Sequence, residues 1–289
     1  MAKTILQSFR ELKANLEITE LQQSTVSTRQ QSVRKAVENE LDVLDSFLTG
    51  SYSRHTMIAP LKEADVDVFI VLDPSYYQEG GQANLLDKLK RVLKKTYPET
   101  HDISRNGQAV TIRFKDFMVD VVPGFKREEG GGYLIPNSIT QSWISTDPKK
   151  HVEIMASANK AHNGDLVPLI KMVKAWNRNI DRYFNSFHLE VLALQIFGGI
   201  AISDFPFGIQ YFFDEGRNLI TKKNPDPAGY GGNVGYYLNT RDKIDSAVDR
   251  FTTAYNRALK AERYESDGNI AEAIEEWKKI FGNYFPSYG

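Results

Sequence analysis

Gly50 to Leu72 reads GSYSRHTMIAPLKEADVDVFIVL, and its last eight residues decide the fold. Asp65–Leu72 (DVDVFIVL) is β-branched and aromatic and stops at Asp73-Pro74, the pattern of a strand. Strand side chains alternate faces, so Asp65 and Asp67 share one face while Val66 and Val68 take the other. Two neighbouring carboxylates repel, and burying either adds a further cost unless something neutralises them. A divalent cation does so. Hard oxygen donors suit Mg²⁺, which keeps several waters and binds substrate phosphates. On its own, an Asp-x-Asp strand is more often the polar outer face of a half-exposed strand, and three neighbours tilt that balance. Phe69 and Val71 continue the acid-bearing face, so it is not a plain solvent face. Gly50-Ser51 lies just upstream, where a small residue lets backbone N–H groups approach a phosphate and a hydroxyl adds a hydrogen bond. Asp120 is a lone carboxylate in the apolar run Met118–Pro123, where an isolated buried acid is costly. Set beside the first strand, Asp120 completes a three-carboxylate site for two metal ions, typically about 3.5–4 Å apart. In that arrangement one ion activates an attacking hydroxyl, the other holds a triphosphate, and Asp120 helps to take the hydroxyl proton.

Working outward, Ile5, Phe9, Leu12 and Leu16 recur at helical spacing. A longer helix is predicted from about Gln23 to Leu48, burying Val26, Val33, Val37, Leu41, Leu44 and Leu48 and stopped by Gly50. Downstream, a helix is predicted over Asn84–Tyr97, carrying Lys88, Lys90, Arg91, Lys94 and Lys95. Strands follow at Val110–Phe114 and Met118–Val122, and a loop at Glu128–Gly132. Asp147-Pro148 resembles an N-cap with Pro at the first helical position. Helices are expected over 148–161, 165–181, 187–200, 240–261 and 269–281, with the Pro/Gly-rich stretch Asn224–Gly235 interrupting them. The expected class is α+β, with a mixed half over 1–160 and a helical half over 161–289.

Within the helical half, Lys171, Lys174 and Arg178 fall in one arc of a helix, opposite Leu169, Ile170, Met172, Val173 and Trp176. The stripe reads either as a solvated face or as a grip on β- and γ-phosphates. Ser186 is a helix N-cap or a phosphate contact, and Phe187 is core or a ring offered to a nucleobase.

The 289 residues are 41% hydrophobic and 25% charged, enough for a substantial core. Lys and Arg total 36 and Asp and Glu 37, a net charge of −1, which argues against a surface coated for non-specific nucleic-acid binding. The absence of Cys excludes disulfides, iron–sulfur clusters, thiol catalysis and Cys-bound zinc. The opening MAKTILQSFRELK is broken by Lys3, Arg10 and Glu11 and does not read as a signal peptide, and no uncharged run reaches membrane-spanning length. A cytoplasmic soluble protein is expected, with no membrane association.

These residues resemble the CD-NTases, the cGAS/DncV-like cyclic-oligonucleotide synthases of bacterial anti-phage (CBASS) defence, related to the oligoadenylate synthetases. GSYSRHTMIAPLKEADVDVFIVL is similar to the family's Gly-Ser, Thr-x-Ile, Asp-x-Asp signature, and VTIRFKDFMVDVVPGF to its third-acid strand. LIKMVKAWNR with FNSFHLEVLAL resembles its Lys-helix and Ser-helix pair, NPDPAGYGGNVGYYL its Asp-Pro…Asn-Val stretch, and EEWKKIFGNYFP its closing helix. The resemblance implies a polymerase-β-like nucleotidyltransferase fold: a mixed sheet on a long spine helix in residues 1–160, and a helical lobe in 161–289 closing the nucleotide cleft. It implies Asp65, Asp67 and Asp120 as ligands of two Mg²⁺ ions, with Mn²⁺ able to substitute. It sets Gly50 and Ser51 at the donor phosphates, Lys174 and Ser186 at the triphosphate, and Phe187 where relatives stack a Tyr on the base; Lys171 and Arg178 are not clearly matched by the family and are kept as further phosphate contacts from their place on the helix arc alone. Asp226 and Asn233 fall in the Asp-Pro…Asn-Val stretch with a structural part.

The implied activity is synthesis of a cyclic di- or trinucleotide from NTPs with release of pyrophosphate. The implied partners are a regulatory protein of the HORMA type and a downstream effector activated by the cyclic nucleotide. The alternatives are transfer to an RNA end, a protein or a small molecule, and an inactive nucleotide-binding scaffold. The zinc-bound, DNA-binding insertion of animal cGAS has no counterpart: there is no Cys, and His55, His101, His151, His162 and His188 form no close pair in sequence. Neither zinc nor activation by long double-stranded DNA is expected.

Overall fold

A computed structural model describes residues 4–289. They form two compact units: Ile18–Glu153, and the described residues up to Glu17 together with Ile154–Gly289. The first helix, α1 (Ile5–Asn15), therefore groups with the helical unit rather than with the sheet. The reason is aromatic: the Phe9 ring meets Trp277, Phe281 and Phe285 edge-on, with centroids 4.9, 5.9 and 5.3 Å away.

The unit Ile18–Glu153 is built on α2 (Glu20–Glu38), opened by a capping box in which Thr19 and Gln22 satisfy each other's backbone N–H groups. The helix stops ten residues short of the predicted end at Leu48. The chain turns at Asn39–Glu40 and runs as strand β1 (Val43–Thr49), paired antiparallel with β2 (Asp65–Leu72). Leu41, Leu44 and Leu48 fit helical spacing, but β-pairing with a partner some 20 residues away decides the conformation, and Leu44 ends up 55% exposed. A single helical turn, α3 (Gly50–Ser53), follows β1. The helix α4 (Gln82–Thr96) leads to β3 (Ile103–Asn106), β4 (Ala109–Arg113), β5 (Met118–Lys126), β6 (Tyr133–Asn137) and β7 (Ser142–Thr146). The sheet order is β1-β2-β5-β4-β3, with β6 joined to β5 and β7 to β6. β2 and β5 are parallel and the other pairs antiparallel.

Alternation along β2 builds two cores. Val66, Val68, Ile70 and Leu72 pack with Val26, Val33 and Val37 of α2 and Leu85, Leu86, Leu89 and Leu93 of α4. Phe69 and Val71 lie on the opposite face with Tyr133 and Ile135, and the Phe47 ring stacks on Phe69 at 5.0 Å. Strands β3, β6 and β7, absent from the sequence-based prediction, are five residues or shorter and carry few β-branched runs.

The helix α5 (Pro148–Ala161) spans the boundary between the units. The helical unit continues with α6 (Leu166–Asn179), α7 (Ser186–Ile196), α8 (Phe205–Leu219), α9 (Arg241–Ser266) and α10 (Ile270–Phe281). Its core centres on Trp176, whose ring lies 4.8 Å from Phe213, 5.0 Å from Phe251 and 5.3 Å from Phe184. The helix α8 was not predicted. Its aromatic run FPFGIQYFF carries little helix propensity, and Asp204 capping the Phe207 N–H with Pro206 in the first turn starts it.

Candidate active site

The acidic residues meet through strand register. Parallel pairing of β2 with β5 sets Asp67 opposite Asp120 and Asp65 opposite Met118. Asp120 also faces Thr111 across the antiparallel β4–β5 pair, and Asp67 faces Thr49 across β1–β2. The third carboxylate thus arrives beside the second from more than 50 residues away, on the face that β2 continues with Phe69 and Val71. Asp65 is exposed at the strand's start, while Asp67 and Asp120 are half-buried.

Gly50 explains how close the preceding turn comes. It has φ +67°, and a Cβ built on it would lie 1.7 Å from Oδ2 of Asp67. Only glycine accommodates both the left-handed backbone and that carboxylate. Ser51 follows in α3, and its carbonyl accepts from the N–H groups of Thr56 (2.9 Å) and Met57 (3.1 Å), closing the turn. Thr56 and Ile58, the Thr-x-Ile pair of the motif, are buried beneath it.

Burial raises the Asp120 carboxyl above its ordinary pKa, against the hydrogen bond from Thr111 and the positive charge of Arg113. The Thr111 hydroxyl donates to Oδ1 at 2.5 Å. A carboxylate so destabilised as an anion is one that a cation would stabilise. Among the described residues no group of three or more His, Cys, Asp and Glu forms a ready-made metal cage. The acids present still fit Mg²⁺ by donor chemistry, since that ion binds through one or two carboxylates completed by waters and substrate phosphates.

The remaining candidate residues sit in the helical unit, on α6 and α7. Residues Leu166–Asn177 of α6 are buried on every side, so the basic stripe is not a solvated face. Lys171 places its ammonium between both carboxylate oxygens of Glu17, at 2.8 and 2.7 Å. Lys174 is 5% exposed and bonds Oε1 of the fully buried Glu190 at 2.7 Å. Arg178 donates to the Tyr284 hydroxyl at 2.9 Å. Asn185 takes the N-cap position of α7 and makes no side-chain cap, which makes Ser186 the exposed first helical residue and Phe187, half-buried, the second.

Sequence reasoning passed over Thr111, Glu17 and Glu190. Two had a signal: Thr111 is the single polar residue inside Ala109–Ile112, and Glu190 is the lone acid in the apolar run Leu189–Leu194.

Residues 3–159 match the Second Messenger Oligonucleotide or Dinucleotide Synthetase domain. A probable cyclic nucleotide synthase of Bacillus cereus (strain VD146) is 29% identical over 275 residues, covering 83% of this chain and 81% of the relative. The cyclic AMP-AMP-AMP synthase of an Acinetobacter species is 26% identical over 309 residues, covering 98% and 86%. Escherichia coli MS115-1 CdnC, solved with ATP, shares the fold with a TM-score of 0.78 at 18% identity, covering 98% of this chain and 99% of that one. The same protein in complex with HORMA-deltaN gives 0.75 at 18% identity over 96% of each chain. No described helix is long and apolar enough to cross a membrane.

Proposed function

The chain belongs to the Second Messenger Oligonucleotide or Dinucleotide Synthetase family of nucleotidyltransferases, and on that premise we propose that it joins NTPs into a cyclic di- or trinucleotide, releasing pyrophosphate at each bond, with Mg²⁺ as cofactor. The observation that carries this reading is the register pairing of Asp67 with Asp120 on the face shared by Asp65.

In this reading Asp65, Asp67 and Asp120 hold two Mg²⁺ ions, for which Mn²⁺ can stand in. When bound, the ions polarise the phosphoryl oxygens, lower the pKa of the attacking hydroxyl and offset charge on the leaving pyrophosphate. Gly50 and Ser51 present backbone N–H groups and a hydroxyl to the donor phosphates. Thr111 takes one of the four acceptor positions of the Asp120 carboxylate and fixes its plane, so that Asp120 is oriented to receive the hydroxyl proton. Lys174 and Ser186 contact the triphosphate, Lys171 is a further phosphate contact that exchanges its Glu17 carboxylate for the phosphate, and Phe187 offers its ring to the base. Most of the catalytic work assigned to these residues is positioning and electrostatics, as phosphoryl transfer requires.

By analogy with the HORMA-bound relative, a HORMA-type protein regulates the enzyme, and the cyclic product activates an effector in CBASS-type signalling in the cytoplasm. The test is to incubate the purified chain with the four NTPs and Mg²⁺ and to resolve phosphatase-resistant products by mass spectrometry. Product from wild type and none from Asp65→Asn supports the reading. Equal product from both, or linear and conjugated products alone, ends it.

A further inference from the structure

His188 is fully buried in the first turn of α7, and the proposed chemistry leaves it unused. Its Nδ1 lies 3.0 Å from the Tyr237 hydroxyl, and its Nε2 has no hydrogen-bond partner. The same hydroxyl accepts from the backbone N–H of Asn185 at 3.2 Å. Proton placement follows from counting orphans. If Tyr237 donates to Nδ1, only Nε2–H lacks a partner. If Nδ1–H donates to Tyr237, both Nε2 and the hydroxyl proton lack one. The first arrangement leaves fewer polar groups without a partner, so the imidazole is neutral with its proton on Nε2. Burial keeps it neutral, lowering its pKa to about 4.

Tyr237 follows closely on the glycine-rich stretch, to which its neighbours Tyr236 and Leu238 bond through their N–H groups, on the Asn233 and Gly235 carbonyls at 3.2 and 3.0 Å. Asn233 Oδ1 accepts from the N–H groups of Asn224 (2.9 Å) and Gly235 (3.1 Å), and Asp226 Oδ2 accepts from Gly231 N–H (2.8 Å). Gly235 lies so near the imidazole that a Cβ there would stand 2.8 Å from Cε1 of His188. One hydroxyl thereby joins this stretch to the N-cap residue of α7, which has no side-chain cap of its own. A buried imidazole with one nitrogen unmatched costs stability, and holding the first turn of α7 gives it a purpose.

We propose that Tyr237 and His188 form a positioning pair that fixes the start of α7, and through it the placement of Ser186. The proposal rests on the assignment of Ser186 to the triphosphate. Tyr237→Phe, which deletes only the hydroxyl, is expected to raise KM for ATP about 3- to 10-fold with kcat within about twofold, and to speed hydrogen exchange in the peptide covering residues 185–189. Ser186→Ala is expected to raise KM by a similar factor, and the double variant by no more than the larger single effect. His188→Gln, which keeps an acceptor for the hydroxyl, is expected to stay nearer wild type than His188→Leu. Thermal melting establishes that each variant is folded. If Ser186→Ala raises KM while folded Tyr237→Phe matches wild type in KM and exchange, or if the two effects multiply, the positioning pair is overturned. If Ser186→Ala leaves KM unchanged, the triphosphate assignment fails, and the pair's proposed purpose fails with it.

Discussion

Replacing Gly50 by Ala separates the geometry of the acidic site from the stability of the fold. The added Cβ would stand 1.7 Å from Oδ2, 2.6 Å from Cγ and 3.1 Å from Cβ of Asp67. Rotating the carboxylate relieves the first two contacts. The third, to the root of the side chain, requires the turn itself to shift by a few tenths of an ångström. The left-handed backbone at φ +67° costs an L-residue roughly 1–2 kcal/mol. Driving Asp67 off its rotamer adds about 0.5–1.5 kcal/mol. The sum is roughly 1.5–3.5 kcal/mol, and at about 2–4 °C per kcal/mol it lowers Tm by roughly 3–14 °C. The variant therefore remains folded at 25 °C. The effect on chemistry is larger, because displacing a positioned catalytic group by about 1 Å can cost 100-fold in rate. Pyrophosphate release from NTPs in Mg²⁺, measured beside a thermal melt, gives both numbers. A folded Gly50→Ala protein at least about 100-fold slower than wild type is the expected result. A variant that melts lower yet turns over within threefold of wild type refutes the idea that Gly50 fixes Asp67 for catalysis.

Three further outcomes follow from named contacts. Glu190→Gln removes the negative charge 2.7 Å from the buried Lys174 ammonium and is expected to destabilise the chain by about 3–5 kcal/mol. Pairing Lys174→Met with Glu190→Leu should recover most of that loss in urea unfolding while leaving product formation abolished. Because His188 titrates near 4 folded and near 6.5 unfolded, the unfolded chain binds the extra proton between those values. Its contribution to stability is complete above pH 6.5 and is lost as pH falls to 4, by up to roughly 3 kcal/mol. Tm measured against pH should flatten across that window in His188→Gln. Gly216→Ala places a methyl 2.2 Å from the Phe251 ring and should lower the urea midpoint by the equivalent of about 1–3 kcal/mol, leaving the product spectrum unchanged.

The acid-bearing strand was legible because period-two alternation is local: Asp65 and Asp67 against Val66 and Val68 can be read from eight residues. Asp120 announced itself as a charge in an apolar run. What joined them, the parallel register that sets Asp67 opposite Asp120, depends on residues far apart in the chain and left no mark in either segment. The same non-locality turned the end of the predicted long helix into β1, whose leucines satisfy both periodicities. That the basic stripe of α6 is buried rather than solvated was hidden for a related reason. Helical geometry set Lys171 and Lys174 on one arc, but their carboxylate partners come from elsewhere, Glu17 from the bend after α1 and Glu190 from α7. With those partners the ammonium groups can be buried. Docking of α1 into the helical unit was hidden because Phe9 chooses among aromatic neighbours more than 260 residues later.

In the proposed mechanism three carboxylates from two strands hold two divalent cations together. Titrating Mn²⁺ into the chain saturated with a non-hydrolysable ATP analogue, and following loss of the free-ion EPR signal, counts those ions without turnover. The expected result is two Mn²⁺ ions per wild-type chain and one in folded Asp120→Asn. An Asp120→Asn protein that takes up two ions with wild-type affinity would contradict it.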